Sequence, residues 1–157
     1  MASNNQNNII PANLNAGSGS TTTANNGNII MVNLFMNLFI NLPLELQIQI
    51  VDYMDMGTFI RFFLANYSRL QRSWSDHLPR ITPTMYMNLV STQNVYLGPL
   101  QMLPTELILN IMNRTMRQDL MAFVLANYKL LVNKQIIDAL TDEDKRELRL
   151  AMESRNT

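Results

Sequence analysis

Leu42-Pro43-Leu44-Glu45-Leu46, running on to Leu64-Ala65-Asn66-Tyr67, returns 61 residues later as Leu103-Pro104-Thr105-Glu106-Leu107 and Leu125-Ala126-Asn127-Tyr128. The two stretches align without a gap. Eleven of the 29 positions from 42 to 70 recur unchanged: Leu42, Pro43, Glu45, Leu46, Ile50, Phe62, Leu64, Ala65, Asn66, Tyr67 and Leu70. A repeat of this kind is one structural unit used twice.

Within the first copy, Pro43 suits the first helical position, where its missing N–H costs nothing. Glu45 lies close to the positive end of the helix dipole. Leu46, Ile50 and Met54 follow at i, i+4 and i+8 as an apolar stripe. Gly57 and Thr58 are expected to break and restart the chain. A second helix carries Phe59, Phe62, Phe63, Tyr67 and Leu70 on its main face, with Ile60 and Leu64 beside them. It is apolar nearly all round up to Tyr67, which predicts a central position. Phe62, Leu64, Ala65 and Tyr67 are expected in the core. Ser73 to Pro83 reads as an irregular link, Thr84 to Asn94 as a helix, and Gly98-Pro99 as a boundary.

The second copy repeats the plan. Pro104 opens a helix with Leu107, Ile111 and Met112. Asp119 suits a cap or first turn for a helix with Leu120, Phe123, Val124, Leu125, Tyr128 and Leu131. Lys134 to Leu140 is expected to extend the helical structure. Thr141, with Asp144 three residues on, resembles a cap for a last helix over 142–152, with alternating charges on its exposed face. No segment alternates with the period of a strand, so the fold class is all-α.

Before the first copy the chain changes character twice. Residues 1–28 are rich in Asn, Gly, Ser, Thr and Ala, and no charge precedes Glu45. Such a segment buries too little to offset its ordering entropy, so a disordered Asn-rich N-terminus is expected. It lacks the pattern of a signal peptide or a mitochondrial address. From Ile29 to Leu42 the chain is strongly apolar over 14 residues, too short to span a bilayer of ~30 Å. Asn33, Asn37 and Asn41 recur every four residues and fall on one helical stripe. Three readings stay open: a buried helix with its Asn stripe toward water, an apolar arm that docks on a partner, or a membrane anchor. The expected division is 1–28, low complexity; 29–97, apolar helix and first repeat; 98–157, second repeat and last helix.

Composition narrows the function classes. Formal net charge is zero, so nothing steers the chain to nucleic acid or an acidic membrane. Arg61, Arg69, Arg72 and Arg80 read as a solvated helix face. There is no Cys, which excludes disulfides and thiolate zinc sites. His77 is the only His and reads as a surface residue. Asp52 with Asp55, and Asp142 with Asp144, are explained by helix ends. No phosphate loop, nucleophile elbow or metal-ligand spacing is present, so no catalytic, cofactor-binding or metal residue is assigned and an enzyme is not expected. The sequons at Asn66 and Asn113 fall in expected helices and read as chance matches. Only 15% of residues are charged against 47% hydrophobic. That leaves apolar surface reserved for another protein, or a core simply rich in Met and Leu.

Leu-Pro-x-Glu-Leu-x-x-x-Ile-x-x-x-Met, followed by a second apolar helix, resembles the F-box. The first copy matches through Leu42, Pro43, Glu45, Leu46, Ile50 and Met54, and Ile50-Val51-Asp52-Tyr53-Met54 is similar to the family's Ile-Leu-x-Tyr-Leu stretch. The second matches through Leu103, Pro104, Glu106, Leu107 and Ile111, and through Asp119-Leu120. Trp74 is a loose counterpart of the Trp that often follows the family's second helix. Thr58-Phe59 departs from the family's Asp-Leu, Ala-Asn-Tyr from its Val-Ser/Cys-Arg, and Asn113-Arg114-Thr115 from an apolar helix end.

The resemblance implies two tandem three-helix modules packed together. It implies an adaptor that binds the Skp linker protein of a Skp–cullin–F-box ubiquitin ligase and brings a target protein to it, in the cytoplasm or nucleus. Leu42, Pro43, Leu46 and Ile50 would then lie at the linker contact, with Leu103, Pro104, Leu107 and Ile111 as counterparts. The first copy is the expected linker site; the second, with the arm or tail, would hold the unknown target. The alternative is a helical interaction or self-assembly protein, including a homodimer, or a short F-box-like competitor that occupies the linker. Exposure separates them: full burial of Leu42, Leu46 and Ile50 would remove the contact surface.

Overall fold

The computed structural model describes residues 22–92 and 98–154, with side chains from residue 31 onward. Among them are nine α-helices, one short 3-10 helix (Pro99–Met102) and no strand. The all-α expectation holds.

The chain divides between Met36 and Asn37 into two units. Helix α1, Thr22–Ile40, crosses that division. It begins inside the stretch read as disordered; residues 1–21 lie outside the described residues. Asn33, Asn37 and Asn41 are exposed, as a polar stripe predicts, but Met31, Val32, Leu34 and Leu38 are exposed as well. Phe39, on the same helix, is buried, so the buried-helix reading holds for that side chain and not for Met31, Val32, Leu34 and Leu38.

In the second unit both copies have the same helix order. The first is α2 (Leu44–Asp52), α3 (Met56–Ala65), α4 (Tyr67–Ser73) and α5 (Pro83–Val90). The second is α6 (Thr105–Arg114), α7 (Arg117–Ala126), α8 (Tyr128–Asn133) and α9 (Asp142–Glu153). Helix α2 packs on α7, and α9 packs on α3, α4 and α5, so the last helix of the chain closes over the first copy.

Four local expectations are corrected. Pro43 and Pro104 are not the first helical residues. With φ/ψ of −54/146° and −56/148° they stand just before it, as N-caps. Their rigid extended backbone turns the chain into the helix. The first break lies at 53–55, not at Gly57-Thr58. Asp55 caps α3 by accepting from the Thr58 amide at 3.0 Å and pairing with its hydroxyl. These bonds hold its carboxyl below its ordinary pKa. The long second helix of each copy is two helices. Asn66 and Asn127 leave helical φ/ψ, and their amides donate to the carbonyls of Phe62 (2.8 Å) and Phe123 (2.9 Å). Finally, residues 134–140 are not helical. Gln135, at φ 58°, ends α8 in a left-handed turn, with the Ile136 amide donating to Leu131 and the Gln135 amide to Val132.

The remaining expectations fare better. Helix α5 is shorter than its expected span, ending at Val90, with residues 93–97 outside the described residues. Helix α9 carries the Thr141–Asp144 capping box. Buried positions match between the copies: Val51/Met112, Phe59/Leu120, Ile60/Met121, Phe63/Val124, Leu64/Leu125, Tyr67/Tyr128 and Leu70/Leu131. Phe62 is only partly buried. Ala65, expected in the core, is exposed because it ends its helix on the outer side.

The Leu-Ala-Asn-Tyr string recurs for a structural reason. Asn ends the helix, and Tyr reaches 12 residues ahead to hold the link to the fourth helix. The Tyr67 hydroxyl donates to the Pro79 carbonyl at 2.5 Å. The Tyr128 hydroxyl accepts from the Leu140 amide at 2.6 Å. Pro79 has no N–H to give, so the phenol, able to donate or accept, reverses its role.

The first copy also buries a polar pair. The Trp74 indole donates to Gln47 Oε1 at 2.7 Å, and Gln47 Nε2 donates to the Leu42 carbonyl at 2.8 Å. Ile108 stands at the position of Gln47 in the second copy, where no Trp follows.

Two tests follow from these bonds. Gln47→Leu leaves the Trp74 N–H without its acceptor and should lower unfolding free energy by about 1–3 kcal/mol. Adding Trp74→Phe should lose less than the sum of the two single changes, read by urea titration. Burial pushes the Tyr67 and Tyr128 phenols upward in pKa, although the Leu140 amide opposes this at Tyr128. Their contribution is whole below the unfolded value of about 10 and is lost as pH rises through the folded values. Phenolate absorbance should therefore show Tyr67 and Tyr128 ionising late, assigned by Tyr→Phe variants, with stability falling over the same range.

Candidate protein-docking edge

Helices α2 and α6 are short, and each divides its apolar residues between two faces. One face carries Gln47 and Val51 in the first copy, Ile108 and Met112 in the second, all fully buried. The other carries Leu46 and Ile50, or Leu107 and Ile111, and it is open. Leu46 is 44% exposed, Leu107 48% and Ile111 37%; Ile50 is half-buried. Pro43 and Pro104 are exposed, and Leu42 and Leu103 are half-buried beside them. All eight residues read from the sequence thus lie on two matching edges, and none is fully buried.

The frames of the edges coincide although their supports differ. Each Pro carbonyl accepts from the amides three and four residues on: Leu46 (3.0 Å) and Gln47 (3.1 Å), Leu107 (3.1 Å) and Ile108 (3.3 Å). The carbonyl before each Pro is also held. Leu42 O accepts from the buried Gln47 amide at 2.8 Å, whereas Leu103 O accepts from the Lys134 ammonium at 3.1 Å. Glu45 and Glu106 stand exposed in the first turns.

Three exposed apolar side chains beside the edges were missed. Tyr53, 93% exposed, follows Ile50 at i+3, where the stripe had been continued to Met54 at i+4. Met102 and Met116 flank α6 outside any helical period, so only the fold could find them. The turn after α2 is tied to the second copy by Arg117, whose guanidinium donates to Met54 O at 3.3 Å and lies 5.8 Å from the Phe59 ring centroid.

Large apolar side chains at helical spacing, on a helix start held rigid by Pro, suit an apolar groove on another protein. Asp55 and Asp144 are engaged as caps. His77 lies against Trp74, with ring centroids 5.9 Å apart. Asn66 is buried with its amide engaged, which argues against its sequon. Among the described residues no His/Cys/Asp/Glu group could hold a metal ion, and no helix is long and apolar enough to cross a membrane.

Comparison with family models, with curated proteins and with solved structures gives no match to the chain.

The two faces should separate by mutation. Leu46→Asp and Leu107→Asp, on the open side, should each cost no more than about 1 kcal/mol. Val51→Asp and Met112→Asp bury an unpaired charge and should cost several times more. Circular-dichroism melts of the four variants decide it; equal losses would show that the edges are core.

Proposed function

We propose that the chain is a non-catalytic, F-box-like adaptor. It docks by the Leu-Pro-x-Glu-Leu edge onto the Skp linker protein of a Skp–cullin–F-box ubiquitin ligase and brings a target protein to it. One observation carries this reading. The residues shared by the two copies in their first helices and the turns before them are Leu, Pro, Glu, Leu and Ile, and none of them is buried in either copy. The buried residues of the same helices, Gln47/Ile108 and Val51/Met112, differ. Packing alone favours the opposite pattern, because interiors respond to a single methylene while surface positions tolerate exchange. An edge kept the same while its own core face changes is what a contact with another molecule produces.

The resemblance named above supplies the identity of the partner, although each copy has four helices where that resemblance implies three. The helix starts favour the same role, because a Pro-fixed entry presents its anchors with little ordering left to do on binding.

Titration calorimetry of the full chain with purified Skp linker protein tests this. Wild type should bind. The double variant Leu46→Asp/Leu107→Asp should lose about 2 kcal/mol or more of binding free energy, at least tenfold in affinity, while its melting curve stays close to wild type. Unchanged affinity in the folded double variant would show that the docking edge is wrong.

A further inference from the structure

We infer that the chain is a two-site platform: the α2 edge and the α6 edge take the same partner, so that one chain holds two linker molecules. This rests on the adaptor reading and goes beyond it, because that reading needs only one working copy and leaves the other for the target.

The argument begins with what has diverged. Five buried pairs in the first two helices of the copies differ: Gln47/Ile108, Val51/Met112, Phe59/Leu120, Ile60/Met121 and Phe63/Val124. The five shared edge residues do not, although none is buried in either copy. A second copy that had become mere scaffold, or had turned to another partner, would be free to change Leu107 or Ile111 as it has changed Ile108 and Met112.

The supports say the same. In copy one the carbonyl before Pro is held by Gln47, itself fixed by Trp74; in copy two it is held by Lys134. Trp74 and Lys134 stand at different places in their copies, 32 residues after Leu42 and 31 after Leu103. Different side chains have arrived at one frame, with N-cap φ/ψ equal within 2° and the leading Leu anchors 44% and 48% exposed. Two sites of the same shape and anchor chemistry fit the same occupant.

That occupant is a protein with an apolar groove for the Pro-led helix. Each edge sets one exposed carboxylate, Glu45 or Glu106, beside its anchors, so the rim of that groove should carry a cation. Both edges are open in the one chain: α2 packs on α7, and Leu46 and Leu107 are each left exposed. The sites are not identical. Asp52-Tyr53 follows the first edge where Asn113-Arg114 follows the second, so the two affinities differ.

The test is stoichiometry with the full chain. Calorimetry and light scattering with saturating Skp linker protein should give two linkers per chain. Leu46→Asp alone and Leu107→Asp alone should each give one, and the double variant none, with all four proteins melting alike. One linker per wild-type chain, abolished by one substitution and untouched by the other, would overturn the platform and leave the adaptor reading standing. No binding by a folded wild type would remove the adaptor reading itself. A chain that self-associates through these edges, and is made monomeric by either substitution, would show that the occupant is a second copy.

Discussion

A buried tyrosine closes each copy, and the rest of the second unit depends on where it reaches. Tyr67 and Tyr128 stand just after an Asn that has ended a helix, and each bonds the backbone 12 residues on. That bond sets the start of the last helix of its copy. Helix α5 follows Pro79 by four residues and α9 follows Leu140 by two, each opened by a threonine cap, Thr82 or Thr141. Helix α9 then closes over α3, α4 and α5. Without the pinned links, the short α4 and α8 would have no fixed direction, since helices of six or seven residues are not stable alone.

This closure explains why the first helices of the copies can stay half open. The core is built from the second, third and fourth helices. Helices α2 and α6 need to contribute only one buried stripe each, and the other stripe is left over. On such short helices a fully polar outer face would be the ordinary arrangement. Leu46 and Leu107, exposed at the same place in both copies, are apolar surface of the kind that marks interaction sites.

Much of this was legible in the chain. The repeat, the all-α class and the Thr141 cap came from pattern alone, and the eight edge residues came from the family resemblance. Other features did not. Asn66 and Asn127 sit in the middle of a continuous apolar periodicity, and periodicity carries no sign of a break when the apolar side chains continue past it. Ala65 was read as core for the same reason. The bond between Trp74 and Gln47 joins positions 27 residues apart, and a Gln in an apolar stripe gives no hint that an indole will satisfy it.

The sequence by itself determined that one helical unit is used twice, and which residues the two uses share, because a repeat and its helical period are local properties of the chain. It could not tell which shared residues are core and which are surface. Leu46 and Leu64 look alike as letters and as phases of an apolar stripe. Only the packing of α2 on α7, and of α9 across the first copy, decided that Leu64 is buried and Leu46 is left at the edge. Burial is set by what arrives from elsewhere in the chain, and a short helix with two apolar faces offers both.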